Sequence, residues 1–585
     1  MNKILFFLFC LVNTMSGGLL YAQSKRLPLI IDMVHHNPGE ALTQSKFSDP
    51  RFVKTMPFNG QVMNDFVFAH TAITFRSLDK QMFLPGSEEY NWIKKAAATI
   101  NKNIQQAHAA GLKAYYFTDL IVLPKKLVQQ YKDSLCDANG KISFEKPFTL
   151  YVHRLMLREL FESFPNLDGL VIRTGETYLN NVPYHTGNNP ITNGAASHIK
   201  LINLLREEVC EKRNKTIIYR TWSFGGMHDS LNYYLQVTDQ IKPHPKLVFA
   251  IKHTQGDYHR TYPFNPTIGK GKHAQIIEVQ CQREYEGKGA FPNYVMDGVI
   301  NGFEEYAQNK GFKGLKEVAN TAQFAGVYTW SRGGGWRGPY IKNEFWCKLN
   351  AFVASNWAAN THLTEKEVFD KFMDAQGIRQ NDARKAFRQL CLLSAKAVLR
   401  GHASALYPVK KDWVFWMRDH FLAGCDTANL SPKAFPSEGF LHEAFTQYLQ
   451  QGVLDEVVKE KYVAQQMWDT IVLLSKKIVT NNRFDDEYIR ISALYGAHLH
   501  AIIASGWHIM ALGMQHDKGI AIDKNVLKTA IAKYDAAWMQ YEVLEKKHKQ
   551  CASLYVPYAF IYKAPDYHNV QGLQASVNKY RLLVN

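Results

Sequence analysis

The sequence predicts an α/β fold: a (β/α)8 TIM barrel over residues 23–345, then an α-helical domain over 346–585, with residues 1–22 set apart as a leader. Three observations predict it. Eight short apolar, β-rich runs are spread through the first half of the chain. Amphipathic helical stretches alternate with them. Past about residue 343 the strand signals give way to long helical periods.

The eight runs are 29–34, 72–75, 112–117, 167–173, 216–221, 247–251, 275–280 and 324–330. Several are apolar almost throughout, as strands of a parallel sheet covered on both faces must be. The stretches 92–110, 151–163 and 199–212 between them carry apolar residues at helical spacing. Strands each followed by a helix or a long loop close into a barrel. A doubly wound open sheet is the alternative, and no GxxxxGK[ST] phosphate loop follows any run to support its nucleotide-binding form. In the second half, helices are expected over 344–359, 364–375, 382–400, 455–480 and 485–514, with Thr364 and Glu367 spaced as a capping box. Residues 551–585 read as irregular.

Composition narrows the function classes. Hydrophobic residues at 46% and charged residues at 21% exclude wholesale disorder. The chain carries 69 Lys+Arg against 52 Asp+Glu, a formal surplus of +17. Those cations are interleaved with acids and form no block, so the sequence shows no nucleic-acid footprint. Lys3, the apolar run 4–12 and small residues up to Ala22 read as a cleavable signal peptide. That places the mature chain in the periplasm or outside the cell, and no later apolar run is long enough to span a membrane. Past the leader, Cys136, Cys210, Cys281, Cys347, Cys391, Cys425 and Cys551 are scattered, odd in number and free of CxxC, as buried thiols would be.

Chemistry in a barrel of this kind sits at the C-terminal ends of the strands. Those ends carry His35, His36 and Glu40, then Thr118 and Asp119, then Arg173 through Glu176. Arg220 and Trp222 follow, then Lys252, His253 and Asp257, then Gln282 through Tyr285, and finally Trp330 through Arg332. Glu176, Asp257 and Glu284 therefore converge on one bowl. Hydrolysis of a glycosidic bond needs such a set: one carboxylic acid protonates the leaving oxygen, and a carboxylate on the other face activates water or attacks carbon. Trp222, Tyr178, Tyr258, Tyr285, Trp330 and Trp336 offer faces on which a pyranose ring can stack. Arg220 and Lys252, with Arg173 nearby, can hold a carboxylate by charge-assisted hydrogen bonds or neutralise the acidic cluster. His35 and His36 are neighbours in a strand and point to opposite faces, a poor chelate, so no metal is expected.

These residues resemble a known family. Residues 250–258 (AIKHTQGDY) and 277–287 (IEVQCQREYEG) are similar to the sixth- and seventh-strand motifs of glycoside hydrolase family 67 α-glucuronidases. Residues 169–176 (GLVIRTGE) resemble that family's general-acid strand, and 325–330 with 336–338 its eighth strand and following loop. Residues 349–367 resemble the start of its helical domain, and the likeness extends over about 167–369. It implies an inverting exo-hydrolase without cofactor that removes a uronic acid, α-linked glucuronic acid first among them, from polysaccharide fragments. Glu176 would be the general acid, and the base would come from Asp257 or Glu284. Arg220 and Lys252 would grip the uronate, with Arg173, Trp222, His253, Tyr258, Tyr285, Trp330 and Trp336 completing the sugar site. The family's helical domain also raises the expectation of a homodimer. The chain departs from the pattern at Ile172, where the family has a lysine and Arg173 is the neighbouring cation, in the loop 177–189, and in an N-terminal β-sandwich that the sequence does not show. Two alternatives stand beside this reading: the same barrel acting on another acidic or neutral sugar, and a non-catalytic glycan-binding protein on a degenerate barrel.

Overall fold

The computed structural model describes residues 26–35, 45–222, 226–333, 341–408, 440–552 and 573–584. Eight parallel strands close into a barrel: β1 (Leu29–His35), β2 (Gly60–Met63), β3 (Lys113–Asp119), β4 (Gly169–Arg173), β5 (Thr216–Arg220), β6 (Leu247–Lys252), β7 (Ala274–Gln280) and β8 (Phe324–Gly333). They pair in sequence order, and β8 pairs back onto β1 from Leu29↔Gly326 to His35↔Gly333. A short antiparallel ribbon of Val122–Pro124 and His185–Gly187 lies beside the barrel.

The interior is filled by every second residue of the strands. Ile31, Met33, Val62, Tyr115, Phe117, Val171, Ile218, Val248, Ala250, Ile276, Tyr328 and Trp330 form one buried cluster there. Gly60 is required by that packing, because a Cβ on it would stand 2.8 Å from the Tyr115 ring and 2.9 Å from Ile31. On the opposite face of β1, fully buried Asp32 stitches the closing seam. It accepts from the Thr329 hydroxyl at 2.5 Å, the Ser331 hydroxyl at 2.7 Å and the Ser331 amide at 3.2 Å.

Seven of the eight expected strands are present within a few residues of their expected ends. The second is a correction. The run 72–75 does not form a barrel strand; a 3-10 turn at Ala69–Ala72 occupies its start, and β2 lies earlier, at Gly60–Met63. Ala69, Ala72, Ile73 and Phe75 are apolar because they pack in the core outside the barrel. There Glu159 accepts from the Thr74 amide at 3.0 Å and the Thr74 hydroxyl at 2.8 Å. The true strand reads GQVM, with a glycine under Tyr115 and a glutamine bonded to the Phe47 carbonyl, so its apolar signal is only Val62 and Met63.

The second half is helical, as expected. Its helices are Phe345–Ala359, Glu365–Ala375, Asn381–His402, Phe440–Gln450, Leu454–Ser475, Arg483–Asp517 and Lys524–Lys547. The Thr364 capping box forms in full: Thr364 Oγ1 accepts from the Glu367 amide and Glu367 accepts from the Thr364 amide. The irregular tail is corrected in part, since Leu573–Arg581 is a helix that buries Val577 and Tyr580 against Arg483–Asp517. Helix Phe345–Ala359 packs directly on β8, which joins the helical region to the barrel. Among the described residues no helix is long and apolar enough to cross a membrane. Among the described residues six cysteines are free and buried. Cys425, the leader 1–22, His36, Glu40 and Trp336 lie outside the described residues.

Candidate active site

The two-residue period of the strands decides what reaches the bowl. Counting outward from the interior cluster, Met33 leads to His35, Phe117 to Asp119, Val171 to Arg173, Ile218 to Arg220, Ala250 to Lys252 and Ile276 to Glu278. The floor of the bowl is thus built of charged groups on apolar strands. A group in such a place is stable only when its charge is matched.

Three matched sets do this. The Arg173 guanidinium grips Asp119 through two hydrogen bonds, at 2.6 and 2.5 Å, and Asp119 also accepts from the Tyr178 amide at 3.1 Å. Arg220 grips Glu278 in the same two-pronged way at 2.7 and 2.8 Å, and the Tyr258 hydroxyl adds a bond to Glu278 at 2.9 Å. Burial works against ionisation of Glu278, but Arg220, Lys252 and Tyr258 outweigh it and hold the carboxyl below its ordinary range. In the third set Lys252 Nζ donates to Asp257 Oδ1, and the Tyr285 hydroxyl donates to Asp257 Oδ2. Although burial opposes it, Lys252, His259 and Tyr285 keep Asp257 well below the usual carboxylate range.

Aromatic rings line these cations. The Arg173 guanidinium lies 4.3 Å from the Tyr178 ring centre, and that of Arg220 lies 4.7 Å from Trp330. Lys252 Nζ is 3.5 Å from the centre of Trp222. Trp330 stacks on His35 at 5.0 Å, and Tyr285 stacks on His259 at 3.8 Å.

The three carboxylates read from the sequence stand at the ends of β4, β6 and β7, in distinct settings. Glu176 is the open one: its side chain is 47% exposed, with the Tyr178 hydroxyl at 3.1 Å and Arg173 Nη1 at 3.7 Å. Asp257 is 23% exposed and sits at φ 49°, a left-handed backbone rare for a non-glycine residue and frequent at working sites. Glu284 is half-buried; its backbone amide donates to the Gln280 side chain at 2.5 Å, which donates back to the carboxylate at 3.4 Å.

The other residues read from the sequence divide. Trp222 is half-buried and accessible at the bowl. Tyr258, Tyr285, Trp330, Arg173, Arg220 and Lys252 are buried in its floor, where the cations already serve carboxylates. His253 does not line the bowl. It follows Lys252 on the other side of the strand, is wholly buried with Nδ1 3.4 Å from the Glu278 carbonyl, and packs near Phe303. Burial and the nearby Arg283 lower its pKa to about 3, so it is a neutral packing residue. Glu278 and Asp119 are functional-site groups that the strand-end pattern alone does not single out. Counting by twos along 276–280 finds Glu278, the one acid of its strand.

No family model and no curated protein matches this sequence. Among solved structures it is similar to a GH138 enzyme targeting pectin rhamnogalacturonan II, at 14% identity and a TM-score of 0.55, over 96% of this chain and 67% of that one. It also matches an O-GlcNAc hydrolase mutant from Thermobaculum terrenum (8% identity, 96% and 94% of the two chains, TM-score 0.39). A third match is CpGH84D (11% identity, 94% and 75%, TM-score 0.38). At this identity the first likeness establishes a shared fold alone, and the two weaker ones carry no argument.

Proposed function

We propose that this protein is an exported glycoside hydrolase that releases a uronic acid, with α-linked glucuronic acid the first choice, from polysaccharide fragments. The observation that carries the reading is the division of labour among three carboxylates at the ends of β4, β6 and β7: Glu176 open to solvent, Asp257 held ionised, and Glu284 bonded to a neutral amide. In this scheme Glu176 protonates the departing glycosidic oxygen. Asp257, gripped on both oxygens and hard to protonate, is a weak base; its fixed negative charge stabilises the cationic sugar in the transition state. Glu284 then takes the proton from the attacking water, and the product inverts at the anomeric carbon. Export rests on the leader-like residues 1–22.

The uronate reading rests on Lys252, whose ammonium lies between Asp257 and the accessible Trp222 ring. Arg220 supports it at one remove, because its Nε and Nη2 donate to Glu278. The pectic target of the GH138 neighbour adds pectin fragments to the substrates worth testing. The test is product analysis by proton NMR on glucuronate- and galacturonate-bearing oligosaccharides. A single uronic acid released with inverted configuration is expected, and Lys252→Ala should weaken uronide turnover at least ~10-fold more than turnover of the matching neutral glycoside. Retained configuration would turn Asp257 into the nucleophile, and equal losses on both substrates would remove the uronate reading.

A further inference from the structure

The segment that carries Glu284 and Tyr285, from Cys281 to Val295, has a backbone that must be held in place. Arg283 at φ 59° and Lys288 at φ 48° are both left-handed without being glycine, and such conformations persist only where the surroundings over-determine them. Part of the restraint is internal. The buried Arg283 guanidinium donates to Glu286 at 3.1 and 2.5 Å, and Asn293 donates to the same carboxylate at 2.9 Å.

The rest comes from the helical region. Asn350, on helix Phe345–Ala359 and 1% exposed, closes the two ends of the segment with one amide. Its Nδ2 donates to the Cys281 carbonyl at 3.1 Å and the Asn293 carbonyl at 3.0 Å, while its Oδ1 accepts from the Val295 amide at 3.1 Å. Tyr488, on helix Arg483–Asp517, donates to the Gly289 carbonyl at 2.7 Å, in the middle of the segment. The restraint passes on to Asp257, because Arg283 donates to the Tyr258 carbonyl at 2.8 Å and Tyr285 donates to Asp257 itself.

We propose that Asn350 is a positioning residue for the Asp257–Glu284 face of the bowl, so that the helical region is a working part of the active site. The proposal rests on the hydrolase reading above. An amide that pairs with three backbone groups cannot be replaced by a carboxylate of the same shape, since two of those groups are themselves acceptors. Asn350→Asp therefore loosens the segment without leaving a cavity. A displacement of about 1 Å at a reacting group can cost ~10²-fold in rate.

The experiment compares Asn350→Asp and Tyr488→Phe with a control, Ser492→Ala, which loses an equally buried bond to Trp346 at 3.0 Å, where the Ser492 hydroxyl is bonded to Trp346 and the Ile489 carbonyl rather than to the segment. Asn350→Asp is expected to lower kcat ~10- to 100-fold with KM changed less than ~3-fold. It should also raise the acidic limb of the pH profile, as Asp257 and Glu284 lose their fixed partners, and speed amide exchange at residues 284–285 at least ~10-fold. Tyr488→Phe should move the same readouts less, and Ser492→Ala should lower Tm alone. Unchanged kcat, pH limb and exchange in both segment variants would overturn the proposal. If the wild type hydrolyses nothing, the hydrolase reading fails by itself and the exchange arm still decides the anchoring: faster exchange at 284–285 upholds it, and unchanged exchange overturns it. Should Asn350→Asp fail to fold, Tyr488→Phe answers the same question.

Discussion

Asp32→Asn should stabilise the protein, and by more above neutral pH than near pH 5. Asp32 is wholly buried on the β1–β8 seam. Burial drives its pKa from 3.8 to about 7, against the pull of hydrogen bonds from Thr329, Ser331 and the Met33 backbone. The folded protein therefore binds this proton more tightly than the unfolded chain does. The resulting stabilisation is complete below pH 3.8, declines as pH rises, and is gone above about 7. At ~1.4 kcal/mol per tenfold change in proton affinity, the whole span amounts to about 4 kcal/mol, an upper bound because the seam can relax. The asparagine amide keeps the shape, still accepts from Thr329 and the Ser331 amide, and can donate to the Ser331 hydroxyl. Denaturant unfolding of wild type and variant at pH 5 and pH 8 isolates this group, because other titrations cancel in the difference. We expect the variant to gain ~2–3 kcal/mol on going from pH 5 to pH 8 relative to wild type, the part of the span that lies between pH 5 and about 7. A variant destabilised equally at both pH values would refute the reasoning and show that the seam holds an ionised aspartate.

Other consequences follow from the same physics. Glu278→Gln leaves Arg220 buried without its carboxylate and should cost ~3–5 kcal/mol in denaturant unfolding; a loss below ~1 kcal/mol would mean that water reaches the floor of the bowl. Burial lowers the pKa of His70 to about 3, of His153 to about 4 and of His185 to about 3, so the folded state refuses protons that the unfolded chain accepts below about 6.5. Their contribution to stability is whole above pH 6.5 and falls as pH drops toward those values. His70→Phe, which keeps the ring stack on Phe68, should flatten the decline of Tm between pH 7 and 4.5, and parallel curves would contradict this.

The barrel was legible in the sequence wherever a strand is buried on both faces. Runs such as 247–251 keep their apolar character because they are buried on both faces, with the interior cluster on one side and the outer core on the other. β2 was not legible, because Gly60 and Gln61 answer to tertiary neighbours, the Tyr115 ring and the Phe47 carbonyl, rather than to a local pattern. Among the candidate site residues, Glu176, Asp257 and Glu284 are legible because they lie just past strand ends, where an acid stands out. Glu278 was hidden inside a strand, since its charge is balanced by Arg220, 58 residues away in sequence. That pairing also changes the meaning of Arg220, which reads as a free cation until its partner is known. Asn350 was invisible for a similar reason: its three partners are backbone groups 55 to 69 residues away.

The central claim is that Glu176 is the acid of a glycosidase. The most direct test compares wild type with Glu176→Gln on uronate-bearing oligosaccharides, with circular dichroism to verify the fold. The account predicts that the wild type releases a single uronic acid and that the folded variant loses at least ~10²-fold in kcat on these poor leaving groups. Full activity in the folded variant, or glycan binding without hydrolysis by the wild type across the whole panel, would contradict it.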